Sequence, residues 1–209
     1  PKVVNEGRRQ INNLERVAEL FLSKSIFFVS LSLIMSALML PYPLVPIQTS
    51  LVGSFAIGIP AFFLALESSG GRVTKGFLKR ILTESIPNGL IMMFFTVGAY
   101  VFTHMSGASV EHCRAVAVLV FLGISLVILC RVSLPFNKYK LILFLTMAIG
   151  ALSNYFIPIG RTFFSLTTIE LKEWILAGIL IVIAWVMISV VVKVIRRFES
   201  TKNNIKVTA

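Results

Sequence analysis

Lys24 and Ser25 lie about a turn and a half inside the first long apolar run of this chain. Gln48, Thr49, Ser50 and Ser54 lie on the second run, around Gly53, Gly58 and Pro60. Proline has no backbone N–H and glycine permits close approach or unwinding, so a Gly-Ile-Pro break inside an apolar helix frees carbonyl oxygens. At membrane depth freed carbonyls survive only where protein or a water-filled cavity satisfies them, and broken helices of this kind are where transporters hold ions. The chemistry on offer is coordination of a cation by carbonyl, hydroxyl and amide oxygens. A structural reading stands beside it, because Gly and Pro are frequent in membrane helices and Ser and Thr serve there as interhelical glue. Lys24 has two readings as well. Its ammonium either snorkels back to the headgroups or lines an internal path.

Other chemistries fall away. The chain has no Asp, and its nine acidic residues are all Glu at span ends or in loops. Calcium takes six to eight oxygens including carboxylates, so a complete site of that kind needs helices from elsewhere. Without Asp there is no aspartyl-phosphate intermediate within these residues. His104 and His112 fall in one outer loop, but consecutive residues such as Glu111-His112-Cys113 point in different directions on a helix and make a poor metal site. No Gly-rich phosphate loop follows a strand. Ser68-Ser69-Gly70-Gly71 reads as a flexible turn before a basic linker, Lys75 to Arg80, at the headgroups. Cys113 and Cys130 are too far apart along one helix to bridge.

The elements that must position these residues follow from composition. With 56% hydrophobic residues and a mean hydropathy of +0.89, the chain is an all-α integral membrane protein. It offers about six apolar runs of the roughly 20 residues needed to cross a bilayer, near 18–40, 46–66, 82–104, 112–133, 139–158 and 173–193. Most of the net charge of +11 lies in the loops of one side, which predicts both termini cytoplasmic and no nucleic-acid partner. Residues 3–20 repeat apolar positions at helical spacing and run without a break into the first span, so a continuous cytoplasmic stalk is expected. Pro41, Pro43 and Pro46 tie the first two spans into a tight hairpin. Gly89, Gly98, Gly123, Gly150 and Gly178 are expected at close helix crossings.

The run Glu6-Gly7-Arg8-Arg9-Gln10-Ile11-Asn12-Asn13 is similar to the E-G-R-x-x-x-N-N signature that leads into the fifth membrane helix of P-type ATPases. Pro46-Ile47-Gln48 followed by Gly58-Ile59-Pro60-Ala61 resembles their sixth helix, and residues 57–67 look most like the bacterial E-type group, associated with calcium uptake. Arg72 through Arg80 looks like the loop that follows. The chain departs from the better-known calcium pumps where they carry Asn, Thr and Asp before Gly-Leu-Pro, having Gly53, Ala56 and Ile57. It also has Ser25 and Phe28 in place of the Asn and Glu of their fifth helix. The resemblance leaves Gln48, Ser54, Gly53 and Ser25 as candidate ion ligands, with Lys24, Gly58 and Pro60 as gating residues.

Residues 1–209 are then expected to be the C-terminal transmembrane domain of a pump, its fifth to tenth membrane helices. Within it, 1–20 forms the stalk, 18–66 the ion-pathway helix pair, 82–193 a four-helix scaffold and 194–209 a cytoplasmic tail. The resemblance implies a multi-pass plasma-membrane location, a transported cation, and N-terminal domains supplying the phosphorylated Asp and the ATP and Mg2+ sites; the chain alone would hydrolyse nothing. The alternative is a freestanding six-helix channel or an accessory membrane subunit, which would need a start methionine before Pro1.

Overall fold

A computed structural model describes residues 2–66 and 77–208. The Ser68–Gly71 turn, Glu67, Arg72 and Lys75 lie outside the described residues. The first helix, α1 (Lys2–Leu38), is continuous through the stalk and the first span, as the absence of an internal Pro allows. It ends before Met39, which takes a positive φ of 53°. The second span is assembled from α2 (Pro46–Val52), a π-helical segment (Gly53–Gly58) and α3 (Ile59–Ala65). Then follow α4 (Phe77–Met105), α5 (Val110–Val132), α6 (Lys138–Ser153), α7 (Pro158–Phe163) and α8 (Leu171–Thr208).

Five helical stretches among the described residues are long and apolar enough to cross a membrane. The expected span at 139–158 is shorter than its composition implied: α6 has 16 residues and rises only about 24 Å, against a hydrocarbon core of about 30 Å. Its limits are local. Asn137 caps the start by accepting from Lys140 N at 2.8 Å. At the other end Asn154 Nδ2 donates back to the carbonyls of Gly150 and Ala151, and Pro158 opens a separate short helix.

The core is built around α5. Of its apolar stretch 78% is buried, against 22% for α8, which makes α5 the centre and α8 the periphery. Phe27 of α1 and Phe121 of α5, both fully buried, stack with ring centroids 4.2 Å apart. Lipid tails are as apolar as leucine, so close packing and interhelical hydrogen bonds, rather than escape from water, hold such a bundle together. Glycines make that packing possible at three of the five expected positions. A Cβ on Gly123 would meet Ile181, and one on Gly150 would meet the Phe55 ring. On Gly89 it would sit 2.7 Å from both Ser23 O and Ile26 Cβ of α1. Gly98 and Gly178 have nothing within 4 Å and are not crossing points here.

The backbone of α1 cannot yield cheaply at Gly89. Gly89→Ala should therefore destabilise the bundle by about 1–3 kcal/mol, read as a lower melting temperature in detergent. Gly98→Ala, placed in open space, should leave it unchanged.

Candidate functional site

The second span bends into a wider helix where the Gly-Ile-Pro break falls. Ile59 N–H donates to Ser54 O, five residues back, so the turn holds one residue more than an α-helix allows. Pro60 brings no N–H, which leaves the carbonyls four and five residues back, on Ala56 and Phe55, without a donor from that position. Gly58 lies close under Gly53: a Cβ on Gly58 would be 3.2 Å from Gly53 O. Such π turns recur at functional sites because they re-aim carbonyls within an otherwise regular helix.

Lys24 meets this turn from α1. A Cβ on Gly53 would lie only 2.9 Å from Lys24 Nζ, so the absence of a side chain at 53 is what admits the ammonium. Lys24 is half-buried, with its Nζ 5.8 Å from the centroid of the Phe28 ring. It makes no ion pair or hydrogen bond among the described residues.

The polar candidates scatter around this pair. Gln48 is buried at the start of α2, where Oε1 accepts from Val45 N at 3.1 Å and Nε2 donates to Ser165 O at 2.9 Å. Both ends of the amide are thereby committed to pinning the hairpin to the loop before α8. Thr49 and Ser50 donate to Pro46 O. Ser25 is exposed and donates to Phe21 O of its own helix at 3.0 Å. Ser54 is exposed, on the outer face of the π segment, and its carbonyl accepts from Ile59. The residues brought together are Lys24, Gly53 and Gly58, with Pro60 buried two residues beyond Gly58.

Gln48→Leu, which leaves Val45 N and Ser165 O without their partner, should cost about 1–3 kcal/mol of stability. Chemical unfolding of the detergent-solubilised protein measures it.

A second set of contacts fastens the stalk end of α1. Asn13 Nδ2 donates to Ala65 O at 3.0 Å, at the C-terminal end of α3. Glu15 pairs with Arg80 of α4, Glu19 accepts from Asn88 Nδ2 at 3.1 Å, and Ser85 Oγ donates to the Glu19 carbonyl at 3.4 Å. Asn13 and Phe28 are the residues that sequence reasoning gave no role. The position of Asn13 inside the Asn12-Asn13 signature is the signal that could have found it.

At the opposite end of the bundle His112 Nε2 lies 2.6 Å from Glu173 Oε1, joining α5 to α8. Glu111-His112-Cys113 does not converge: Cys113 Sγ is buried and donates to Ala108 O at 3.8 Å. No group of three or more His, Cys, Asp or Glu among the described residues is arranged to hold a metal ion. Just outside α8 a hydrogen bond from the Lys172 ammonium, with its charge, holds the Glu170 carboxyl below its ordinary pKa.

No family model matches the chain. It is, however, 32% identical over 180 residues to "Calcium-transporting ATPase CtpE" of Mycobacterium tuberculosis, a match covering 79% of this chain and 23% of that protein. The same-named protein of Mycolicibacterium smegmatis is 32% identical over 186 residues, covering 82% of this chain and 24% of the relative. "Probable cation-transporting ATPase exp7" of Streptococcus pneumoniae is 25% identical over 191 residues, covering 88% and 25%. The chain is a membrane part of a P-type ATPase. It spans about a quarter of the length of the curated relatives it matches. A multi-pass membrane setting for this P-type ATPase part agrees with its apolar helices. Within it, the E-G-R-x-x-x-N-N signature occupies the early turns of α1, and the Gly-Ile-Pro break closes the π-helical segment.

Proposed function

We propose that this chain is the C-terminal membrane half of an ATP-driven pump whose cation, calcium by analogy with the names of its relatives, passes the π turn at Gly53–Gly58. The observation that carries the reading is the approach of the Lys24 ammonium to Gly53, in a π turn where Pro60 offers no N–H to the carbonyls of Phe55 and Ala56. The second span, Pro46–Ala65, carries no Asp or Glu, so backbone oxygens supply its share of the coordination, with Ser54 as the hydroxyl-bearing residue of the π turn. Any further ligands come from the rest of the polypeptide. Gln48 and Ser25 act in this reading through the hairpin and the α1 backbone rather than on the ion.

Both termini face the cytoplasm. The rest of the protein supplies the phosphorylated Asp, the nucleotide site and Mg2+, and phosphoryl transfer displaces the stalk. Because α1 is one helix from Lys2 to Leu38, a push on its first turns moves Lys24 as well as Asn13, which holds the end of α3. Displacement of one rod thus acts on the start of the π turn and on the far end of α3, which follows it. The test is ATP-dependent uptake of radioactive calcium by the complete protein in sealed vesicles. Accumulation abolished by a calcium ionophore is expected. ATP hydrolysis that drives another cation but not calcium would overturn the ion assignment, and hydrolysis driving none would overturn the pump.

A further inference from the structure

A cavity of about 1150 Å³ lies where α1, α4, α5, α6 and α8 come together, at the stalk end of the bundle. It is larger than the roughly 300–1,000 Å³ of an ordinary small-molecule site. α6 and α8 each pack on α5, and the cavity reaches between them. Its lining divides by depth. Four cationic side chains, Arg16, Arg80, Arg131 and Lys193, stand with Glu15 within three residues of the ends of their spans, while Glu19 and Glu84 lie six residues in. One to two turns deeper, the walls are Val127, Phe144 and Trp185.

The carboxylates are already engaged inside the protein. Glu15 pairs with Arg80, Glu84 pairs with Arg131 at 2.8 Å, and Glu19 accepts from Asn88. Lys193 makes no ion pair or hydrogen bond among the described residues. The cavity thus presents a cationic surplus at one membrane face and an apolar slot leading towards the bilayer centre. Basic pockets of this kind between membrane helices fit anionic lipid headgroups. A soluble anion would leave the apolar walls unused, and a plain hydrocarbon would leave the charged rim unused.

We propose that this cavity binds one anionic phospholipid, its phosphate at Lys193 and the Arg131 end of α5 and an acyl chain between Phe144 and Trp185. The bound lipid would brace α6 and α8 against α5. Lipid retention does not depend on transport, so this assignment and the pump assignment can fail separately.

The experiment is native mass spectrometry of the protein purified at its natural length, delipidated in detergent and offered phosphatidylglycerol or phosphatidylcholine. One phosphatidylglycerol should be retained under conditions that strip phosphatidylcholine. Lys193→Glu should reduce that retention roughly tenfold, and Val127→Trp, which fills the slot, should reduce it comparably. Equal retention of the two lipids, or undiminished phosphatidylglycerol binding in both variants, would overturn the proposal. Loss in Lys193→Glu with full retention in Val127→Trp would also overturn it, since the headgroup would then be held at the surface without the cavity.

Discussion

Pro60→Ala in the complete pump should lower ATP-driven ion uptake by between ten- and a hundredfold while leaving the protein at least as stable as before. Alanine restores an N–H opposite the carbonyls of Phe55 and Ala56, and it removes the ring that keeps the second span from closing into a regular helix. Proline in a helix interior costs about 3 kcal/mol. Relief of that cost favours the straight helix by roughly two decades in population. The carbonyls would then be spent on the helix itself. Initial uptake rates in reconstituted vesicles, with melting temperature measured on the same preparation, give both halves of the expectation. Unchanged ion-dependent flux would count against any role for the π turn in transport. A rise in stability with a loss of flux is the behaviour of an element kept strained for function.

Lys24→Ala should change how the pump responds to its ion. With Nζ at Gly53 the ammonium sits where a cation held by the π turn would feel it. Two unit charges about 4 Å apart repel by roughly 4 kcal/mol at the effective dielectric of a protein site. Part of that is screened by ligands from the rest of the pump. Removing the charge should therefore lower the ion concentration for half-maximal ATPase activity by about tenfold or more, with a lower uptake per ATP. Lys24→Arg should restore most of the wild-type response, because it keeps the charge on a side chain of similar reach. If Lys24→Ala alters only the amount of protein in the membrane, the ammonium belongs to the headgroups and the path lies elsewhere. The two variants test different parts of one site: Pro60 the supply of carbonyls, Lys24 the field they act in.

Much of this could be read along the chain because it depends on neighbours in sequence. A continuous α1 follows from the absence of Pro or paired Gly before Leu38, and the disturbed second span follows from Gly53, Gly58 and Pro60 lying within two turns. The short α6 was hidden because hydropathy counts apolar residues and is blind to an Asn at 154 that turns its amide back onto its own helix.

What only the tertiary structure decided concerns side chains that meet across helices. Gln48 and Ser25 look like ligands by residue type, but Gln48 spends its amide on Val45 and on Ser165, more than a hundred residues away, and Ser25 turns outwards. Gly89 and Gly98 are the same residue on the same helix, yet one lies against the α1 backbone and the other against nothing. Lys24 is the clearest case. Its type and depth establish only that a charge in the span needs a destination, and snorkelling or an internal path answer equally well at that level. Where the side chain lies in the structure depends on how α1 is rotated against the second span and on a missing Cβ at Gly53, both properties of the packed bundle rather than of any local stretch. Local backbone chemistry is written in order along the chain. The pairing of surfaces between helices is settled only when all of them compete for the same space.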